Sequence, residues 1–300
     1  MENQRLKYLF LAFGWFIGIM TIMAQHPMTD QIILRYQEHQ DPKIALQEMA
    51  QTVSKEEKKL AFVMYTEGFL LKECYKKNPA EDIKISWRDQ SIEKLQQALL
   101  AQPDAATRDN IQKAQKFLLG TYFNDALIAA RSFQSSNEAL PYQLFEKFEK
   151  KIQQSQTDQP VNALKSQFYK KLAERHYELW QPADTILIHP KSCINLYQKV
   201  LLQDPTDCEA LHNLAVLYYN IGVNKIKNVP SQAEMDQLIQ LQEESIGLFR
   251  QALPFAESTF QDCPKTLSQY KALMYIQKAL GNDEAFERLQ TEVQQLFPND

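Results

Sequence analysis

Glycine is scarce. The 300-residue chain holds 7, and two of them, Gly14 and Gly18, fall within the first twenty residues. Tight β-hairpins and phosphate-cradling loops need glycine in the left-handed backbone region, so a β-rich or nucleotide-binding fold is disfavoured. A basic field is also missing. With a formal net charge of −4, the chain has nothing to attract nucleic-acid phosphates or an anionic lipid surface. The common catalytic signatures, G-x-S-x-G, H-E-x-x-H and G-x-x-x-x-G-K, do not occur. The five histidines are scattered, and no Cys-x-x-Cys or paired His/Cys spacing marks a zinc site. The expectation is a chain that is not an enzyme, with no cofactor, no metal and no nucleic-acid partner. Cysteine is sparse too, at positions 74, 193, 208 and 263. An even count in an exported chain permits disulfides, with three connectivities for four residues. Cys193 reads as a buried thiol filling a small slot. Cys208 and Cys263 can pair or can pack as thiols.

What is present favours helix. Leu, Ala, Gln, Glu and Lys dominate, and they are good helix formers. The start of the chain is a separate object. Arg5 and Lys7 precede the apolar run Tyr8–Met23, and Ala24 ends it before Gln25-His26-Pro27. A short positive segment, an apolar core and a small residue at a cut site match a signal peptide over 1–24. The run is short for a spanning helix, which needs about 20 residues; an uncleaved N-terminal anchor is the alternative. The expected location is therefore exported, periplasmic or secreted, with membrane attachment only through this segment if it is retained.

Helix punctuation continues along the chain. Asp30–His39 is a short amphipathic segment, and Asp41-Pro42 opens the next helix. Ser54-x-x-Glu57 reads as a capping box opening a long apolar helix that Asn78-Pro79 ends. Trp87–Gln102 and Ala105–Phe133 follow. Ser135-x-x-Glu138 reads as a second box, opening a helix to about Gln154. The polar run 155–160 is the best linker. Pro160 starts a helix to Trp180, and 182–190 reads as a loop. Lys191–Gln203 and Asp207–Lys225 form the clearest hairpin. One long helix, Ser231–Gln261, carries Pro254, which should kink it. Lys265–Leu280 and Asp283–Leu296 close the chain, separated by Gly281-Asn282.

One spacing recurs three times: Ser91, Leu95, Ala98 and Pro103; Cys193, Tyr197, Val200 and Pro205; Ala252, Ala256, Thr259 and Pro264. The first three residues of each set share one helix face. A small residue there lets a partner helix come close, and the proline stops the helix and aims the chain at the next hairpin. The facing helix carries Leu211, Leu214-Ala215 and Tyr218, which fits the W-x2-L-G-x2-Y half of the tetratricopeptide pattern, with Leu for Trp and Ala for Gly. Leu172-Ala173-x-x-His176 repeats that half, with His where an aromatic is usual.

On these residues the chain resembles a tetratricopeptide-repeat (TPR) protein, most clearly over 168–294. Its long insertion between Tyr218 and Ala252 is similar to extended hairpins in exported TPR proteins of Gram-negative bacteria. The resemblance implies an all-α, TPR-like α-solenoid of stacked antiparallel hairpins, with degenerate repeats over 25–154, TPR-like repeats over 160–297 and an extended hairpin at 207–261. It also implies a protein-interaction scaffold whose first helices line a concave groove. On the best-defined hairpin the residues off the packing face are Glu209, His212, Asn213, Val216, Tyr219 and Asn220, a set suited to an extended peptide. Lys170 and Asn213 match two places of the carboxylate clamp known in one TPR subfamily, but Glu174, Ser268 and Ala272 depart from it, so that mode is not expected. A glycan-capture or nutrient-uptake component of the envelope is the alternative; it lacks a lipid-anchoring cysteine, and only Trp87 and Trp180 remain as aromatic platforms after the leader.

Overall fold

The computed structural model describes residues 27–81, 86–155, 160–180 and 188–298. Among these residues every regular element is helical. In chain order the helices are α1 (Pro27–His39), α2 (Pro42–Thr52), α3 (Ala61–Lys77), α4 (Trp87–Leu100), α5 (Ala105–Ser132), α6 (Ala139–Ser155), α7 (Val161–Leu179), α8 (Ile188–Leu201), α9 (Cys208–Lys227), α10 (Met235–Asp262), α11 (Leu267–Ala279) and α12 (Asp283–Leu296). No described helix is long and apolar enough to cross a membrane. The signal segment expected at 1–24 lies outside the described residues, as do 156–159 of the expected linker. The chain divides into two compact units, residues 1–125 with 144–159, and residues 126–143 with 160–300.

In the first unit, α1, α2, α3 and α4 pack in chain order. Asp41 caps α2, its Oδ1 accepting from the amides of Lys43 at 2.9 Å and Ile44 at 3.3 Å, with Pro42 in the first turn. Ile32, Tyr36, Ala45, Met49, Val53, Val63 and Leu70 form one apolar cluster. The α3–α4 contact is close enough to require glycine. A Cβ on Gly68 would sit 2.9 Å from Leu95 Cγ and 3.3 Å from the Leu95 amide nitrogen. The Ser91 hydroxyl donates to the Gly68 carbonyl at 2.6 Å. Two residues of the recurring spacing thus hold the same point of the preceding helix.

In the second unit, α7 through α12 also pack each against the next, and α9 touches α11 as well. Here the spacing repeats its chemistry. Cys193 stands where Ser91 stood, and its thiol donates to the Ala173 carbonyl of α7 at 3.2 Å. Burial pushes that thiol up to about 12, so it is a packing group and not a nucleophile. All nine helical positions of the three sets are buried, from Ser91, Leu95 and Ala98 to Ala252, Ala256 and Thr259. The α9–α10 hairpin is tight along its length. Tyr218 stacks on Phe255 with ring centroids 6.0 Å apart and planes 5° apart. A Cβ on Gly222 would meet Phe249 Cε1 at 2.6 Å. At its open end a disulfide joins Cys208 to Cys263, 55 residues apart in sequence. That decides between the two readings of this pair, while Cys74 and Cys193 are buried thiols.

Several local expectations need correction. The Ser54–Glu57 box is real, with the Ser54 amide donating to Glu57 Oε2 at 2.9 Å, but it opens a single 3₁₀ turn, Glu57–Lys59. The long helix begins only at Ala61, after an extended Leu60. The second box is set one residue earlier than expected: the Gln134 amide donates to Asn137 Oδ1 at 2.7 Å ahead of a 3₁₀ turn. Ile188, His189 and Pro190 belong to the first turn of α8, not to a loop. A proline is tolerated there because the first amides of a helix have no internal partner. By contrast, the expected single long helix carrying Pro254 is present: Pro254 lies inside α10, which continues past it to Asp262.

Candidate functional site

Helix α9 carries the candidate site residues. It starts where Asp207 accepts a hydrogen bond from the Ala210 amide at 2.9 Å. Ala210, Leu211, Leu214, Ala215, Leu217, Tyr218, Ile221 and Gly222 form its buried side. The six residues expected on the other side are all partly or fully exposed. The structure shows what each of them meets.

Glu209 is exposed, and its carboxylate lies 2.8 Å from Lys170 Nζ on α7. The same ammonium meets Asp207 at 3.0 Å. Burial alone would lower the Lys170 pKa, but the hydrogen bonds to Glu209 and Asp207 outweigh it and hold the group above its usual value. Lys170 is therefore a neutralised cation, and Glu174 beside it is paired with Lys171 at 2.6 Å. Asn213 turns inward, its amide donating to the Tyr197 hydroxyl of α8 at 3.0 Å. Both residues that matched the carboxylate clamp are thus engaged within the protein.

The remaining residues reach sideways. His212 Nε2 lies 3.0 Å from Ser268 Oγ on α11, and burial lowers its pKa, so the ring is neutral near pH 7. Asn220 donates to the Tyr177 hydroxyl of α7 at 3.0 Å. Tyr219 leans onto Phe249 of α10, ring centroids 5.5 Å apart, and its hydroxyl pKa is raised first by burial and then by Tyr275 of α11. Val216 is half-buried. The alternate helices α7, α9 and α11 are thus bridged in order by Lys170–Glu209, Tyr177–Asn220 and His212–Ser268. Next to the first bridge is an open depression of about 540 Å³, lined by Asn162, Ser166, Gln167, Lys170, Gln203 and Asp207 among others.

Three aromatic edges define what this surface offers. Tyr177 and Tyr275 are exposed on the flanking helices, with half-buried Tyr219 on α9 between them in chain order. Tyr177 and Tyr275 were not singled out from the sequence. Tyr177 precedes its donor partner Asn220 by 43 positions, and no local spacing reports such a pairing. Conversely, both tryptophans among the described residues, Trp87 and Trp180, are buried, which removes the flat platforms that the glycan-capture reading needs.

This geometry is that of a stacked helical-hairpin repeat. Residues 196–225, the end of α8 and most of α9, match the family model of the tetratricopeptide repeat. The resemblance read from Leu211, Leu214-Ala215 and Tyr218 therefore holds over this hairpin. No curated protein matches the chain.

Proposed function

We propose that this chain is a non-enzymatic protein-interaction scaffold that holds an extended segment of a partner protein across α7, α9 and α11. The observation that carries the reading is the row of Tyr177, Asn220, Tyr219, His212 and Tyr275 on helices laid side by side in a TPR-like unit. Amide and imidazole groups at its centre can pair with a peptide backbone by exchanging their bonds to Tyr177 and Ser268, and the tyrosine edges supply apolar contact at low entropic cost. Lys170 is not free to take a terminal carboxylate, so the contact is with an internal stretch of the partner.

The location we propose is an oxidising compartment outside the cytoplasm, the periplasm or the secreted space. The Cys208–Cys263 bond supports this, because such bonds persist where thiols are not kept reduced. The N-terminal pattern Arg5, Lys7, Tyr8–Met23 and Ala24 supports it independently.

The test is capture from envelope fractions with the full chain as bait, compared with Tyr177→Ala/Tyr275→Ala. Both side chains are exposed, so the fold should survive. A partner retained by the wild type should bind the double variant at least tenfold more weakly. Equal capture by both baits, or no reproducible partner, removes the proposal.

A further inference from the structure

His176 occupies the place in α7 where the repeat pattern has an aromatic residue, and its side chain is wholly buried. Its Nδ1 lies 3.1 Å from the Nδ1 of His189, in the first turn of α8. Its other nitrogen, Nε2, faces the Glu138 carboxylate at 3.6 Å and makes no hydrogen bond among the described residues. The Phe133 ring meets it edge to face at 5.0 Å. We propose that His176 and His189 form an acid-sensitive latch between α7 and α8, closed when one proton lies between the two Nδ1 atoms and opened when both carry one.

The tautomers follow from the neighbours. A proton on His176 Nε2 points at the Glu138 carboxylate and is attracted; a lone pair there would be repelled. His176 is therefore protonated at Nε2 and accepts at Nδ1, and His189 donates from Nδ1. The remaining ring lone pair of the two histidines is then on His189 Nε2. A proton added there keeps the shared bond intact. A proton added to His176 Nδ1 sets two N–H groups against each other at 3.1 Å, and the contact must part.

The other charged groups around the pair among the described residues do not offset this. Arg175, on the same helix, donates from Nε to the Phe133 carbonyl at 3.0 Å and pairs with Glu178 at 2.9 Å. Glu174 pairs with Lys171. The Cys193 thiol of α8 is neutral. Glu138 is the one carboxylate facing His176. Burial lowers the His176 pKa, Glu138 opposes that, and His189 adds to it. The folded value thus lies below the unfolded one, about 6.5. The unfolded chain then binds more protons as pH falls, so the latch's contribution is complete above about pH 6.5 and is lost below it.

Thermal unfolding of the full chain between pH 7.5 and 5 tests this against His176→Phe, which keeps an aromatic in the slot, and His189→Gln, whose amide can turn to accept from a charged His176. In the wild type the unfolding constant should rise roughly tenfold more per pH unit below about 6.5 than in either variant. Long-range ¹H–¹⁵N spectra of the wild type provide a second readout that needs no variant. They should show His176 as the Nε2–H tautomer and His189 as the Nδ1–H tautomer at pH 7.5. Equal pH slopes in wild type and His176→Phe, or two Nε2–H histidines titrating independently, would overturn the latch.

Discussion

Opening the Cys208–Cys263 bond should cost the second unit more than any single packing contact. The bond ties the start of α9 to the residue after α10, so it closes the whole extended hairpin, a sequence separation of 55. In the chain-entropy model a loop of that size restricts the unfolded state by about 4 kcal/mol. Measured effects run somewhat lower, because unfolded chains keep residual structure, so roughly 2–4 kcal/mol is expected. The hairpin should still form without the bond, since Tyr218 on Phe255, Gly222 against Phe249 and the Lys225–Glu244 pair at 2.6 Å do not depend on it. The perturbation is Cys208→Ser/Cys263→Ser, measured by urea unfolding followed by circular dichroism. The wild type with reductant should behave as the double variant does. For a unit of this size the melting temperature should fall by roughly 5–15 °C. Non-reducing peptide mapping should recover one linked pair containing these two cysteines, with Cys74 and Cys193 unmodified until the chain unfolds. An unchanged midpoint on reduction, or a linkage through Cys74 or Cys193, would refute the reasoning.

Two further substitutions probe the packing. Gly222→Ala gains helix propensity of about 1 kcal/mol but drives a methyl into the buried Phe249 ring, which costs about 1–3 kcal/mol; a net loss of stability is expected, read as a lowered urea midpoint. Gln115 on α5 is fully buried, and neither amide atom finds a partner among the described residues. Gln115→Leu, similar in size and without the stranded polar groups, should stabilise the chain by about 1–2 kcal/mol, seen as a higher melting temperature.

Which parts of this could be read in advance follows from physical locality. The recurring spacing Ser91, Leu95, Ala98 and its two copies was legible because a small residue at a fixed helical interval has meaning only where another helix comes close. Ser91 and Cys193, reaching the carbonyls of Gly68 and Ala173, show the same contact made with different atoms. The caps at Asp41 and Asp207 were legible for the same local reason. Box signatures were less reliable guides to helix starts. Ser54 and Glu57 satisfy each other's donors equally well around a 3₁₀ turn, so the pattern marks a turn and not a helix length. The cysteine pairing depended on how far α10 runs after Pro254, and only the complete helix brings Cys263 back to Cys208.

The candidate site was half legible. Which residues of α9 leave its packing face follows from helical periodicity, and all six were placed on that side. What they meet does not follow. Asn213 was taken as a groove residue, yet it donates inward to Tyr197. Tyr219 stays on that side, half-buried, and its ring rests partly on Phe249. Tyr177 and Tyr275 entered only with the lateral placement of α7, α9 and α11, which depends on contacts across tens of residues.

The central claim is that the α7–α9–α11 surface is where a partner is held. Amide hydrogen exchange of the full chain, with and without a captured partner, tests it most directly. The account predicts new protection in peptides covering 170–177, 209–220 and 268–275, and little change in α1 to α4. Protection confined to α1 to α4, or none on α9, would contradict it.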